Sequence, residues 1–184
     1  MYPVNLVGKR VVLREFREGD GDDLYAINGD ERVTTWLSFD RRTREQTRTA
    51  LAGILERAQH EARTEYYLAL SRPAVDRVIG GVRLGLAGVN AAKLGYSVHA
   101  DHWGQGYATD AVRAMVVFGF RTLGLHRISA AIGPDNAPSV AVVKRLGFQY
   151  EGRLRDHVYT NGAWRDSLLY SLLDHECPAV TEAG

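Results

Sequence analysis

The sequence predicts one α/β domain, a single mixed sheet with helices on its faces. Three observations carry that expectation. Leu94, Tyr96 and Val98 alternate with Gly95, Ser97 and His99 at the period of a strand. Ala108, Val112, Met115, Val116, Phe120 and Leu123 then recur at the spacing of one helix face. Thr160-Asn161-Gly162-Ala163 separates two further strand-like runs and has the Asn-Gly chemistry of a tight hairpin turn. With 184 residues, 45% of them hydrophobic and 24% charged, the chain can bury one sizeable core and is too apolar to stay disordered.

Taken in order, Val11 to Phe16 is expected as a strand, followed by a short helix over Asp22 to Ile27 whose acidic start suits the helix dipole. Thr43-Arg44-Glu45-Gln46 is a capping-box pattern that opens a second helix, with Leu51, Ile54, Leu55 and Ala58 as its inner face. Tyr66 to Leu70 and Val78 to Leu86 are expected strands, joined across Arg72 to Arg77. The strand and helix of the opening observations come next, then a strand over His126 to Ile132. Asn136 reads as the N-cap of the following helix, Pro138 falls in its first turn where a missing N–H costs nothing, and Gly147 supplies a left-handed terminator. Phe148 to Tyr159 and Trp164 to Leu173 form the closing hairpin. The domain is expected to span 1–176, with a flexible tail over 177–184; no repeat, linker or low-complexity segment interrupts it.

Composition excludes several function classes. Lys plus Arg is 23 and Asp plus Glu is 22, so no global basic surface exists to hold nucleic acid by counterion release. No apolar run reaches membrane-spanning length and the N-terminus lacks a signal-peptide core, so a cytoplasmic location with no membrane partner is expected. Cys177 is the only cysteine, which rules out an intrachain disulfide, and its place beside Pro178 argues against a nucleophile.

The most informative stretch is Trp103-Gly104-Gln105-Gly106-Tyr107-Ala108-Thr109, which lies between the strand and the amphipathic helix. A helix N-terminus offers unpaired N–H groups and a positive dipole end, and glycine lets a ligand approach the backbone, so a phosphate or pyrophosphate is the natural guest. A Walker loop would need Lys-Ser/Thr after its second glycine, where this chain has Tyr107, and a dinucleotide fold would want a third glycine where it has Thr109. A second block lies at Asn136-Ala137-Pro138-Ser139-Val140-Ala141-Val142-Val143-Lys144-Arg145-Leu146-Gly147-Phe148.

Together the two blocks resemble the GNAT acyltransferase superfamily, closest to its Rim-type branch, the ribosomal-protein N-acetyltransferases and their relatives. In that branch Trp-Gly-x-Gly-Tyr-Ala and an Asn-to-Leu-Gly-Phe block occur together. The resemblance runs from Arg10-Val11-Val12-Leu13-Arg14 to Asp166-Ser167-Leu168-Leu169-Tyr170-Ser171-Leu172-Leu173. It implies a GNAT fold, with a central, mostly antiparallel twisted sheet flanked by helices and a C-terminal β-hairpin. It also implies acetyl-coenzyme A as co-substrate, no metal, and direct attack by an amine in a ternary complex. One departure stands out: where the wider superfamily begins its loop with Gln or Arg, this chain has Trp103, so the backbone amides must carry more of the pyrophosphate.

Carried over residue by residue, backbone groups of Val98 and Ala100 would receive the pantetheine arm. Amides of Gly104, Gln105, Gly106, Tyr107, Ala108 and Thr109 would hold the pyrophosphate, and the Asn136 side chain would cap its helix, bond pantetheine, or do both. The tyrosine that many members place seven residues after this Asn to protonate the departing thiolate is Val143 here; the Rim-type pattern suggests Ser139 instead. A hydroxyl is a weak acid, so Ser139 is expected to act by hydrogen bonding the thiolate more than by full proton transfer. The usual carboxylate base position is Lys93, which leaves Glu151, Asp166, His99 and Tyr96 as base candidates, each of which has an ordinary structural reading too. At pH 7.5 an α-amine near pKa 8 needs only about 0.7 kcal/mol to become neutral, against about 4 kcal/mol for a lysine-type amine. A weakly basic amine can therefore react with positioning alone supplying much of the acceleration.

The acceptor pocket of the branch points to Trp36, Phe39, Tyr159 and Trp164, with Arg14 and Glu15 able to meet the acceptor or merely flank the sheet. The acceptor is expected to be a protein N-terminus, an amino-acid-like metabolite or an amine antibiotic, handled by a monomer or homodimer. A catalytically silent acyl-coenzyme A binding domain, and a transferase using a longer donor such as succinyl-coenzyme A, are the alternatives.

Overall fold

The computed structural model describes residues 1–178. It contains one eight-stranded sheet in the order β1-β2-β3-β4-β5-β6-β8-β7. The strands are β1 (Asn5–Val7), β2 (Val12–Glu15), β3 (Glu65–Arg72), β4 (Val75–Leu86), β5 (Ala91–Val98), β6 (Arg127–Ile132), β7 (Gln149–Thr160) and β8 (Ala163–Leu173). Helices α1 (Gly21–Asn28), α2 (Glu31–Thr34) and α3 (Arg44–Ala58) lie between β2 and β3, α4 (Tyr107–Arg121) follows β5, and α5 (Ala137–Arg145) follows β6. Every strand pair is antiparallel except β5 with β6.

The alternation of β3 shows how two helical layers share one sheet. Tyr66, Leu68 and Leu70 point into a core with Val112, Met115 and Val116 of α4, whereas Ala69 points into a second core with Leu24, Ile27, Leu51 and Ile54 of α1 and α3. Successive side chains of a strand leave opposite faces, so α4 covers one face and α1 with α3 the other. The Thr43 cap operates as a full box: its hydroxyl accepts from Gln46 N–H at 3.2 Å, and the Gln46 side chain accepts from Thr43 N–H at 2.9 Å. Asn161 (φ 53°) and Gly162 (φ 74°) are both left-handed, which is what a two-residue hairpin matching the strand twist demands.

Strand β1 and helix α2, three and four residues long, are too short to show a period in the sequence. Cys177, expected at the start of the tail, is buried against the α4 core at 4% exposure. The rest of that expected tail, 179–184, lies outside the described residues. Among the described residues no helix is long and apolar enough to cross a membrane.

The feature that positions the site is the short parallel pairing. Strand β5 matches β6 only through Ala91↔Arg127, Ala92↔Ile128 and Lys93↔Ser129. It then runs on to Val98 beside β4 alone, while β6 stays paired with β8 through Ile132↔Leu168. The sheet therefore opens as a wedge between the second half of β5 and the end of β6.

Candidate active site

His99 N–H donates to Ile79 C=O at 2.8 Å, which makes Val98 and Gly80 a pair without mutual hydrogen bonds. By the alternation of the ladder, the backbone groups of Tyr96 and Val98 face away from β4 and into the opening. Trp103 has already taken two carbonyls there. Its indole N–H donates to Val98 C=O at 2.8 Å and its backbone N–H to Ala100 C=O at 3.2 Å. Strand-like pairing of a ligand with Val98 and Ala100 therefore has their N–H groups and the second lone pair of each carbonyl to use.

Beyond Trp103 the chain turns through Gly104 (φ 73°) and Gly106 (φ 79°), a backbone conformation that L side chains adopt at a cost of about 1–2 kcal/mol. Gly106 is the N-cap of α4 and contributes no side-chain cap bond, so the first amides of α4 have no capping partner from that position. The loop is tied down from a distant turn: Arg10 Nη1 donates to Gln105 C=O at 3.1 Å, and Arg10 N–H donates to the Asp110 carboxylate at 2.7 Å. Lys9, Arg10, Arg113 and Arg145 share a cavity of about 380 Å³ with Gly104, Gln105 and Gly106. These cations have no signature in the sequence because they come from three places along the chain with no common spacing. Only the Lys9-Arg10 dipeptide after Gly8 hinted at them.

Inside the opening, α5 brings its first turn toward β5. Asn136 Oδ1 accepts from Ser139 N–H at 3.1 Å, so Asn136 is the N-cap, and that bond leaves its side-chain NH₂ with donors to spare. Tyr96 crosses from β5 and places its hydroxyl 2.6 Å from Ser139 Oγ and 3.1 Å from Ser139 C=O. Burial pushes the Tyr96 phenol up to about 12, partly countered by the Ser139 hydrogen bond, so it remains protonated at neutral pH and is no base.

The carboxylate base candidates are engaged elsewhere. Glu151 is bound by Arg127 (Nη1 to Oε1, 2.8 Å) and by the Ser171 hydroxyl (2.5 Å), and these two hydrogen bonds, Arg127's the larger, hold its carboxyl below the usual range. A depressed, doubly bonded carboxylate is a poor proton acceptor. Asp166 is likewise held low, first by the Asp156 N–H and then by Arg153. His99 caps its own turn through Nδ1, which accepts from Asp101 N–H at 3.2 Å. Arg14 and Glu15 flank the sheet as buried ion-pair members. Arg14 forks onto Asp20 at 2.8 and 2.9 Å, and Glu15 onto Arg63 at 2.7 and 3.0 Å.

The four aromatic positions gather around the loop before α3 and the β7–β8 hairpin, where three of them are exposed and so do not belong to the core. Trp36 is 37%, Tyr159 60% and Trp164 62% exposed; Tyr159 and Trp164 meet edge to face at 5.3 Å. Phe39 carries the Arg42 guanidinium on its ring at 4.0 Å. Two clamps join loop to hairpin. Arg165 donates to the carbonyls of Thr35 and Leu37, both at 2.9 Å, on either side of Trp36. Asp40 accepts from the Thr160 hydroxyl and Asn161 N–H, both at 2.7 Å, at the hairpin turn.

Proteins of similar sequence and fold are N-acetyltransferases, and this chain is an acyltransferase of the same class. Residues 10–149 match the family model described as an acetyltransferase (GNAT) domain; the chain belongs to the GNAT family, in its Rim-type branch. It is 30% identical over 173 residues to the uncharacterized N-acetyltransferase p20 of Bacillus licheniformis, covering 93% of this chain and 97% of that protein. Over 116 residues it is 32% identical to the ribosomal protein uS5-alanine N-acetyltransferase of Escherichia coli, 61% of this chain and 60% of that protein. Mycobacterium smegmatis RimJ, solved in complex with CoA-disulfide, superposes with a TM-score of 0.85 at 25% identity, over 97% of this chain and 92% of that one.

Proposed function

We propose that the chain moves an acetyl group from acetyl-coenzyme A to an α-amino group, with the thioester lying in the opening between β5 and β6. The observation that carries this reading is the Tyr96–Ser139 hydroxyl pair inside the opening, with the glycine loop and its four cations at one mouth. The amides from Gly104 to Thr109 would take the pyrophosphate. Lys9, Arg10, Arg113 and Arg145 would supply the positive charge that Trp103 does not. The Asn136 NH₂ and the Val98 N–H would meet the pantetheine. On attack the amine nitrogen bonds the thioester carbon, the C–S bond breaks with its electron pair going to sulfur, and the Ser139 hydroxyl hydrogen-bonds the thiolate. The proton shed by nitrogen balances the thiol.

The acceptor assignment rests on the engaged carboxylates. Glu151 and Asp166 are both held low, so the amine must arrive largely neutral, which favours an α-amine over a lysine-type amine. The uS5-alanine relative acts at an alanine of a ribosomal protein, and an exposed aromatic pair beside a clamped loop gives a peptide N-terminus a surface to lie on. Thiol release from acetyl-coenzyme A measured across N-terminal peptides and small amines tests the reading. Faster release with peptides than with lysine-type amines near neutral pH is expected; none with any amine would remove the reading, and faster release from succinyl-coenzyme A would replace the donor.

With an α-amino peptide, kcat/KM should rise about tenfold per pH unit and level off near pH 8, the pKa of the amine itself. With a lysine-type amine it should still be rising at pH 9. A common midpoint near pH 6 to 7 for both would reveal an enzymic base that this account lacks. Gly106→Val places a branched side chain at φ 79° against the expected phosphate position. The strain and the blocked approach together should raise KM for acetyl-coenzyme A at least about tenfold, read from initial rates at saturating acceptor.

A further inference from the structure

Ser139 is held on two sides before any ligand arrives. Its N–H is fixed by Asn136 Oδ1 at 3.1 Å, and its carbonyl and hydroxyl oxygens both lie within reach of one phenol, Tyr96, at 3.1 and 2.6 Å. A phenol has one proton to give and an oxygen that accepts. Two arrangements follow. If Tyr96 donates to Ser139 C=O, the Ser139 hydroxyl proton is drawn onto the phenol oxygen and turned away from the opening. If Tyr96 donates to Ser139 Oγ, the serine's own proton is released toward whatever lies in the opening, and the bond it makes there is strengthened by the one it receives.

We propose that Tyr96 is a positioning residue for acyl transfer: by donating to Ser139 Oγ it turns the Ser139 hydroxyl proton onto the thioester sulfur as the C–S bond breaks. This rests on the reading of Ser139 as the donor to the thiolate. No proton leaves Tyr96 in the step; the electron pair of the broken bond goes to sulfur, and the proton that completes the thiol is the one lost by the amine. The high phenol pKa is consistent with a donor that stays protonated throughout the assay range. Tyr96 is part-buried on a strand whose neighbours in the ladder are fixed by β4, so its hydroxyl is presented from a rigid element.

A double-mutant cycle in the full chain, with acetyl-coenzyme A and a peptide acceptor, tests it. Tyr96→Phe keeps the ring and removes the one oxygen; kcat should fall about tenfold, the rate equivalent of one hydrogen bond, with KM for acetyl-coenzyme A within about twofold. In a Ser139→Ala background the same change should cost nothing further. Introducing 4-aminophenylalanine at 96, which restores an N–H donor at that position, should recover most of the lost rate and serves alone should the Phe variant fail to fold. An unchanged kcat in Tyr96→Phe, a full additional loss in the Ser139→Ala background, or no rate with the amino analogue would overturn the proposal. If Ser139→Ala itself leaves turnover unaltered, the reading of Ser139 fails and takes this role with it. A loss in Ser139→Ala with none in Tyr96→Phe removes Tyr96 only.

Discussion

Ser139→Ala should lower kcat for acetyl transfer about 10²-fold, the scale of removing one preorganised donor from a developing anion. KM for acetyl-coenzyme A should change by less than about twofold, because the lost bond forms to the thiolate and not to the intact thioester. The variant is structurally mild. The cap of α5 uses Ser139 N–H and Asn136 Oδ1, neither of which the substitution touches. The one partner that loses a contact, Tyr96, keeps an acceptor in the Ser139 carbonyl. A fall in kcat with an unaltered melting temperature is thus the expected pair of results, and an unaltered kcat would remove Ser139 from the chemistry.

Arg63→Met should be strongly destabilising although Arg63 lies away from the site. Arg63 and Glu15 form a two-pronged pair whose side chains are only 2% and 8% exposed. Glu15 also accepts from Val4 N–H at 3.1 Å, so the pair secures the N-terminal segment against the sheet. Methionine preserves much of the stem that packs near Tyr66, whose ring lies 4.4 Å from the guanidinium, and removes the charge together with the hydrogen bonds that Arg63 donates to the Glu65 and Met1 carbonyls at 2.7 and 3.3 Å. An unpaired carboxylate left buried costs about 3–5 kcal/mol, which for a domain of this size is a fall in melting temperature of about 10 °C. Adding Glu15→Leu to Arg63→Met should return part of that stability, since it removes the buried unpaired charge while leaving Val4 N–H and the Glu65 carbonyl without their side-chain partners. A double variant as unstable as the single one would show that the loss came from packing and the backbone hydrogen bonds of the pair and not from the unpaired charge.

Much of the fold was legible because its signals are local. Alternation marked the long strands, helical spacing marked α4, Thr43 with Gln46 marked the start of α3, and Asn161-Gly162 marked the hairpin. The Gly104 and Gly106 loop was legible for the same reason, since a left-handed backbone leaves a glycine in the sequence. The wedge between β5 and β6 was not, because where two parallel strands part company is a matter of register between segments about 35 residues apart in sequence and leaves no period in either. Side-chain pairing was equally hidden. Tyr96 and Ser139 are separated by 43 residues and Arg10 and Gln105 by 95, so nothing in either neighbourhood announces the partner. That is why Tyr96 read as a base candidate when the geometry makes it a donor, and why Glu151 read as a candidate base before Arg127 and Ser171 were seen to hold it. Trp103 shows the same limit from the other side. Its place in the loop motif suggested only a missing anchor, whereas its indole and amide satisfy the carbonyls of Val98 and Ala100.

The most direct measurement is a crystal structure of the protein with coenzyme A. The account predicts the pyrophosphate on the amides from Gly104 to Thr109, the pantetheine passing between β5 and α5, and the sulfur within hydrogen-bonding distance of Ser139 Oγ. A coenzyme A bound with its pyrophosphate away from that loop, or with its sulfur out of reach of Ser139, would contradict it.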